Sequence, residues 1–506
     1  MPSTRTGRSK HGGASLPDRF LITTPLPVKD PLDATATGFR PTPLFWAGVL
    51  FTQLVLLGLF VYDYRISVLL VAGIVIATVL LDNPVWAVGC MLGSRLISTS
   101  TTSFFTIGKI TIGLFEPVLL FALVALALRA VLAQKTLFRS WPWQPVYLTY
   151  IGWSVAGLFW CTKMSDGIKG ILGLLVILGT NLVILAFVET WAQVRAMVWF
   201  WIVTCVLIGS LAIFGDSLGL TDYGAQWKAS AGGGRETGLG QQPNWFAMNL
   251  MFVVHSCAAF ALVQKRAIIR WGLMFATIFI FFAMMTSGSR GGAYSIVIGG
   301  LIVALGQPLF RRWFIGFASV GFAFFAVAYF FDIGDIGKGM NRITMNLDVV
   351  FAQDIRGLNW AACMGMFSDT WGRGIGPGGY IDNLQKYSDW LYYSVYRYPH
   401  GIFWGEVAHN GVVGIVLLFT MVLSIGRMAW KTIGYTRGTE AEVLAWSMPA
   451  SMAGYFAWSF VEFNFYEKPF WEWLGLYTAL YFVAKRDFEK RSRGEPSDIP
   501  DWKLKL

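Results

Sequence analysis

Long apolar stretches recur along the chain from about residue 44 to about residue 484. An α-helix needs roughly 20 apolar residues to cross a hydrocarbon core of about 30 Å. Only 14% of the residues are charged, whereas soluble domains carry roughly a quarter. We therefore predict an all-α, polytopic integral membrane protein with about 12–14 transmembrane helices, one of them near residues 404–424.

Lysines and arginines cluster in every second loop between the predicted spans. Such residues are retained on the cytoplasmic side of a membrane, so we expect both termini to be cytoplasmic. This sidedness, together with attraction to anionic lipid headgroups, explains the net charge of +11 better than nucleic acid binding does. The clusters lie at residues 129–139, 265–270, 311–312, 427–437 and from 485 onward.

Polar residues, glycines and arginines concentrate in two outward-facing segments. Loops held by a rigid scaffold often carry binding and catalytic residues, so we expect the chemistry on this side. The five cysteines indicate no disulfide or metal framework. The predicted organisation is a disordered cytoplasmic leader at 1–43, transmembrane helices at 44–331 with an outward arginine loop at 215–242, a large outward loop at 332–403, transmembrane helices at 404–484 and a basic cytoplasmic tail at 485–506.

Two of the polar constellations combine an arginine with the predicted start of a helix. Arg235 lies in a glycine-rich loop before Pro243 and Asn244, and Pro243 suits the first position of a helix. Arg290 lies in the turn SGSRGG, where the next helix exposes unpaired amide groups. A guanidinium at a helix N-terminus is suited to phosphate. A solvated loop residue at Arg235 and a lipid headgroup contact at Arg290 are the alternatives.

The third constellation is in the large outward loop. Arg356 and Trp360 are four residues apart and would share one face of a helix. The following GRGIGPGG formally contains a GxGxxG pattern at Gly374, Gly376 and Gly379. A dinucleotide site would need a strand before this pattern and a helix after it, and no parallel sheet is predicted. We therefore interpret it as a glycine turn that shapes a pocket.

The fourth constellation contains two of the four histidines of the chain, His400 and His409. If the segment were one helix, His400 would share a stripe with Gly411 and Gly414, and His409 would lie nearly opposite. Only one histidine would then face a given cavity. A histidine that caps a helix or lines an interface is the alternative for each. Glu406 is close enough in sequence to orient an imidazole.

These residues resemble the O-antigen ligase and Wzy-type O-antigen or exopolysaccharide polymerase superfamily over roughly residues 225–425. The ligase branch carries a histidine, then Asn, Ser or Gln, nine variable residues, a glycine, two residues and another glycine. His400, Gly411 and Gly414 match this spacing, whereas Gly401 departs from it. The Arg235 loop, the Ser-Arg-Gly turn at Arg290 and the segment from Arg356 to the glycine turn are similar to family motifs in the same order.

The resemblance implies a GT-C-like glycosyltransferase at the periplasmic face of the bacterial inner membrane, without a metal or nucleotide cofactor. Its donor would be an oligosaccharide on undecaprenyl diphosphate. His400 would be the general base, and Arg235, Arg290 and Arg356 would hold the diphosphate. The candidate supporting residues are His409, Glu406, Asn244 and Trp360. Membrane lipids and a chain-length regulator protein are further candidate partners, and nucleic acid is not.

The proposed chemistry agrees with the residue types. A departing diphosphate needs positive charge, and guanidinium groups bind phosphate oxygens bidentately. A sugar hydroxyl is a weak nucleophile, and histidine is suited to act as its base near neutral pH. We favour a polymerase because Gly401 breaks the ligase pattern. The alternatives are an O-antigen ligase acting on lipid A core, a transporter of lipid-linked glycans and a structural membrane scaffold.

Overall fold

The computed structural model describes residues 84–97, 105–107, 110–112, 115–133, 140–214, 243–308, 310–312, 314–316, a few positions between 319 and 327, 355–393, 398–460 and 468–502. All of them belong to one compact unit, Val75–Leu506. The predicted leader at 1–43, the arginine loop at 215–242 with Arg235, and the first half of the large loop lie outside the described residues.

The described residues are almost entirely helical. The helices are α1 (Pro84–Ile97), α2 (Phe115–Ala133), α3 (Gln144–Gly157), α4 (Met164–Phe187), α5 (Trp191–Phe214), α6 (Pro243–Val263), α7 (Ala267–Thr286), α8 (Arg290–Gly306), α9 (Ile355–Asp369), α10 (Tyr380–Leu384), α11 (Asp389–Tyr393), α12 (Ile402–His409), α13 (Gly411–Thr436), α14 (Glu442–Ser459) and α15 (Lys468–Ser492). Two short antiparallel strands, β1 (Phe105–Ile107) and β2 (Ile110–Ile112), precede α2 and pair Thr106 with Thr111.

Five of these helices are long and apolar enough, by length and composition, to cross a membrane: α4, α5, α6, α7 and α13. In α6, 83% of the most apolar 18-residue window is buried inside the protein, against 33% in α13. Helix α6 is therefore central and α13 peripheral. These helices confirm the prediction of a helical membrane protein. A count of 12–14 spans and a GT-C-like arrangement stay predictions.

Small residues and buried hydrogen bonds join the central helices. A Cβ at Gly454 of α14 would collide with the Ser295 carbonyl oxygen of α8, so the two backbones are in close contact. His255 of α6 bonds Ser451 at 3.0 Å and the Ile296 carbonyl oxygen at 2.9 Å. Close approach of small residues and interhelical hydrogen bonds are typical of helix packing in membranes. His255 is thus accounted for by packing.

Helix α13 separates two ends of the protein, because its 26 residues span about 39 Å. Its last turn leads to a surface where the Tyr435 carbonyl oxygen accepts a hydrogen bond from Arg491 and Arg195 pairs with Glu440 at 3.5 Å. The basic segments at 265–270, 427–437 and from 485 onward meet at this end. This is the arrangement expected if basic loops share one side, and the cytoplasmic assignment of that side stays a prediction.

Candidate functional site

His400 lies in a strained turn immediately before α12. Its φ is +49°, and that of Gly401 is +154°. A Cβ at Gly401 would lie 2.6 Å from the carbonyl oxygen of Phe460, so any larger residue would displace the end of α14. Backbone angles in this region are accessible to glycine and costly for other residues. The departure of Gly401 from the ligase pattern therefore has a steric cause.

The prediction of one helical stripe with His400, Gly411 and Gly414 is wrong. The segment is two helices, α12 and α13, with a break at Asn410, and His400 precedes both. Gly411 has a φ of +60°, and its backbone N–H neighbour Val412 donates to the Gly372 carbonyl oxygen at 2.9 Å. A contact from a distant loop thus ends the helix that local periodicity favours. The predicted span at 404–424 accordingly begins later, at the start of α13.

The His400 imidazole is almost completely covered, with 5% of the residue exposed. The ring of Tyr398 lies against it, with centroids 3.9 Å apart. Burial lowers the pKa of His400 to about 3, and the positive charge of Arg356 lowers it further. The imidazole is therefore neutral at pH 7, which is the protonation state that a base requires.

Helix α9 brings two predicted residues to His400. Besides the charge of Arg356, the indole N–H of Trp360 donates to the His400 carbonyl oxygen at 2.9 Å. This confirms that Arg356 and Trp360 share a helix face. Trp360 also stacks on Trp404 of α12, with centroids 5.3 Å apart and an interplanar angle of 20°. Partly buried aromatic rings therefore form a wall around the imidazole, with Tyr398 on one side.

The Ser289-Arg290-Gly291 turn lies at the same end of α14 as the His400 turn. Arg290 is the first residue of α8, as predicted, and the Ser289 hydroxyl accepts a hydrogen bond from the Gly292 N–H at 3.4 Å. A Cβ at Gly291 would collide with Trp458, two residues before Phe460. The last turn of α14 thus lies between the Arg290 and His400 turns. Its two contacts are with glycines, which explains why glycine follows the functional candidate in each turn.

Two other candidates concern the start of α6. Pro243 is its first residue and Asn244 its second, which confirms the predicted helix start. Asn244 is partly buried. Arg235 lies outside the described residues, so its relation to His400 stays a prediction.

Glu406 and His409 belong to a different cluster from His400. The Glu406 carboxylate is fully buried and accepts hydrogen bonds from the Tyr150 hydroxyl at 2.7 Å and from the Asn410 amide at 2.8 Å. The expected contact of Glu406 with an imidazole is therefore replaced by these two, because Asn410 lies one helical turn away from it. The His409 ring lies against Tyr380, with centroids 5.9 Å apart.

The glycine turn at 372–379 packs against the rest of the protein. Gly374 and Gly376 have φ values of +82° and +84°. A Cβ at Gly374 would lie 2.5 Å from the His409 carbonyl oxygen, and one at Gly376 would lie 2.5 Å from that of Gly157. The N–H groups of Ile375 and Gly376 donate to the carbonyl oxygens of α12, each at 2.9 Å. The interpretation as a turn is confirmed, and the dinucleotide pattern has no structural counterpart here.

Three residues near these clusters were missed by sequence reasoning. Tyr150 is 256 residues away from its partner Glu406, so no local pattern could connect them. Asn410 could have been noticed as a polar residue inside a predicted span. Tyr398 is close to His400 in sequence, but its contact depends on the turn. Within the described residues, no three His, Cys, Asp or Glu side chains come together as metal ligands.

The arrangement as a whole places a neutral imidazole beside a permanent positive charge and partly buried aromatic rings. Such a group can accept a proton from a hydroxyl while the cation attracts a nearby anion. No protein-family model matches this chain, and no curated protein is detectably similar to it. Membership of the O-antigen ligase and polymerase superfamily, which the motifs at Arg290, Arg356 and His400 resemble, therefore stays a prediction.

Proposed function

We propose that the protein is a membrane glycosyltransferase that polymerises oligosaccharide repeat units carried on undecaprenyl diphosphate, at the periplasmic face of the bacterial inner membrane. The product would be O-antigen or exopolysaccharide. The observation that carries this proposal is the action of the Arg356 charge on a neutral, buried His400 imidazole. Transfer from a lipid diphosphate needs a base and a cation in one place.

His400 would act on the acceptor sugar. The neutral imidazole takes the proton of the acceptor hydroxyl as the oxygen attacks the anomeric carbon of the donor glycan. A positioned base of this kind contributes typically 10²- to 10⁴-fold in rate. The Tyr398 ring covers His400, so the acceptor hydroxyl would have to displace it.

Arg356 would act on the leaving group. When the bond between the anomeric carbon and the diphosphate oxygen breaks, its electron pair stays with undecaprenyl diphosphate, and guanidinium stabilises that charge. Arg290 at the start of α8, and Arg235 in the preceding loop, are the further candidates for this role. An arginine this close to the membrane is costly unless it meets an anion.

The donor would also prepare the base. Arg356 lowers the pKa of His400, so a bound diphosphate that neutralises this charge raises the pKa. The imidazole becomes a stronger base only when the donor is in place. Such a dependence limits deprotonation of hydroxyl groups when no donor is bound.

Gly401 favours a polymerase over an O-antigen ligase. The ligase pattern has a polar side chain at this position, and here a Cβ would lie 2.6 Å from the Phe460 carbonyl oxygen. The acceptor would then be another lipid-linked repeat unit, whereas a ligase uses lipid A core. A transporter of lipid-linked glycans is the remaining alternative, and it would form no new glycosidic bond.

The test uses purified full-length protein and an undecaprenyl-diphosphate repeat unit, with new glycan detected by mass spectrometry. We expect His400→Ala to lower the rate about 10²- to 10⁴-fold while the thermal unfolding midpoint changes little. His409→Ala is the matched control and should keep the rate within a few fold. Full turnover by His400→Ala would exclude His400 as the base, and wild-type protein that makes no glycan from any lipid-linked unit would refute the enzyme.

A further inference from the structure

A cavity of about 220 Å³ lies at the end of the protein opposite to the His400 turn. It lies where the start of α5, the end of α6 and the start of α7 meet the loop before α14. Trp191 and Phe260 form aromatic walls, and Lys265 and Arg266 lie at the connection between α6 and α7. By the liquid volume of water, about 30 Å³ per molecule, the cavity has room for roughly seven waters or a small polar headgroup.

The cavity is positively charged. Arg195, Lys265 and Arg266 line it with one carboxylate, Glu440. That carboxylate is 3.5 Å from Arg195 and so pairs with one of the three cations. Lys265 and Arg266 are exposed and have no carboxylate partner among the residues that the structure describes. Three cations against one carboxylate leave an excess of positive charge that attracts anions.

Hydrogen-bond donors add to this charge. Trp191 is the first residue of α5, and Arg266 precedes the first residue of α7 without a side-chain cap, so the unpaired N–H groups of two helices begin at the cavity. The Trp191 side chain is buried, with 5% exposed. Its indole N–H has no hydrogen-bond partner within the described part of the chain. A buried donor of this kind is costly unless a ligand accepts its hydrogen bond.

An apolar track leads away from the cavity along α7. Ile268, Trp271, Phe275 and Ile278 lie on one face of this helix, and between 50% and 83% of each is exposed. Ile269, which lines the cavity, belongs to the same first turn. A free phosphate compound makes no use of such a track. A phospholipid does, because its acyl chains need apolar contact next to its charged headgroup.

We infer that the cavity binds the phosphate headgroup of an anionic phospholipid, with the acyl chains along the exposed face of α7. The inference is independent of the proposed transferase activity, because the cavity is separated from His400 by the length of α13. The headgroup phosphate would accept hydrogen bonds from Lys265, Arg266 and the Trp191 indole. A lipid held in this way joins three helices at one end of the protein.

The test is native mass spectrometry of the full-length protein released from detergent, with phosphatidylglycerol or phosphatidylcholine added. We expect selective retention of phosphatidylglycerol by the wild type, and roughly 30-fold weaker binding by K265A/R266A, given the usual contribution of a basic residue near anionic lipid. The matched control is R311A/R312A, an exposed pair with the same change of charge outside the cavity. It should bind like the wild type.

Three results would overturn the inference: equal retention of the two lipids by the wild type, equal loss of binding in both double variants, or binding of free glycerol phosphate as tight as that of phosphatidylglycerol. The last result would identify a soluble phosphate compound as the occupant. Both mutated residues are exposed, so folding should be unaffected, and the lipid-free unfolding midpoint checks this. If the alanine variant is unstable, K265Q/R266Q removes the charges with smaller loss of side-chain volume.

Discussion

The short helix α12 has a histidine at each end, and the two ends are built differently. Before its first residue, His400 lies against Tyr398 and feels the charge of Arg356. At its last residue, His409 lies against Tyr380, and its carbonyl oxygen accepts a hydrogen bond from the Gly376 N–H at 2.9 Å. The first end holds a titratable ring beside a cation, whereas the second is fixed by main-chain contacts.

The difference shows how one short helix can combine an anchor with a reactive turn. At the His409 end, Glu406, Tyr150 and Asn410 bond one another away from solvent. Every one of these contacts restricts the position of α12 without touching His400. Changes at the His409 end should therefore lower stability, and changes at the His400 end should alter chemistry. The following variants test this division.

The largest loss of stability is expected for Gly374→Ala. The new Cβ would have to share space with the His409 carbonyl oxygen at 2.5 Å, and φ is +82°. The left-handed angle costs about 1–2 kcal/mol, and overpacking adds about 1–3 kcal/mol. Gly438→Ala is the control, because its φ of +78° is similar and nothing lies within 4 Å of the Cβ. It should lose only the first contribution.

The measurement is the thermal unfolding midpoint of purified protein in detergent. A clearly larger decrease for Gly374→Ala than for Gly438→Ala supports an anchor at the His409 end. Equal decreases would mean that the glycine turn does not hold α12.

The next largest effect is expected for Glu406→Gln. Both carboxylate oxygens accept hydrogen bonds from buried donors, Tyr150 and Asn410, and glutamine replaces one acceptor with a donor. A buried donor left without an acceptor costs about 1–3 kcal/mol. The exposed Glu495→Gln is the control and should leave the midpoint unchanged. If Glu406→Gln is as stable as the wild type but turns over slowly, Glu406 serves chemistry and the division between the two ends is wrong.

Local sequence rules predicted the parts of the site that depend on one helix. Pro243 and Ser289 precede or open helices as their backbone and capping preferences require. Arg356 and Trp360 meet His400 because a spacing of four residues defines a helix face. The apolar residues before α2 form strands instead of the start of a span, and short apolar runs do not distinguish these two structures.

Features that depend on distant contacts could not be predicted. The break at Asn410 requires the hydrogen bond from Val412 to the Gly372 carbonyl oxygen, and nothing in the local sequence indicates that a loop 40 residues earlier provides it. The same holds for Tyr150 with Glu406. The closeness of the His400 turn to the end of α14 depends on how α14 packs. Helix starts are local properties of a sequence, whereas the arrangement of this site is set by packing.

Arg356→Gln should change pH dependence more than stability. The pKa of His400, about 3, is lowered by burial and by Arg356, so loss of the arginine raises it towards the ordinary 6.5. A base must be neutral, so the acid limb of the pH–rate profile moves to higher pH. Burial remains as the larger cause, so the shift is incomplete. Arg373→Gln is the control, because that guanidinium lies over Trp160, 5.0 Å from the ring centroid. An unchanged acid limb in Arg356→Gln would contradict the proposed coupling.

The smallest effect on stability, and the sharpest comparison of the two ends, is expected from two Trp→Phe variants. Trp360 donates to the His400 carbonyl oxygen at 2.9 Å, and Trp153 donates to that of Asn410 at 3.1 Å. Each variant loses one indole hydrogen bond to a main-chain oxygen next to α12, at a cost of about 0.5–1.5 kcal/mol. The two unfolding midpoints should therefore fall by similar amounts. Only Trp360→Phe should also slow glycan formation, because it loosens the turn that positions the imidazole, and equal turnover in both variants would remove the functional distinction between the ends.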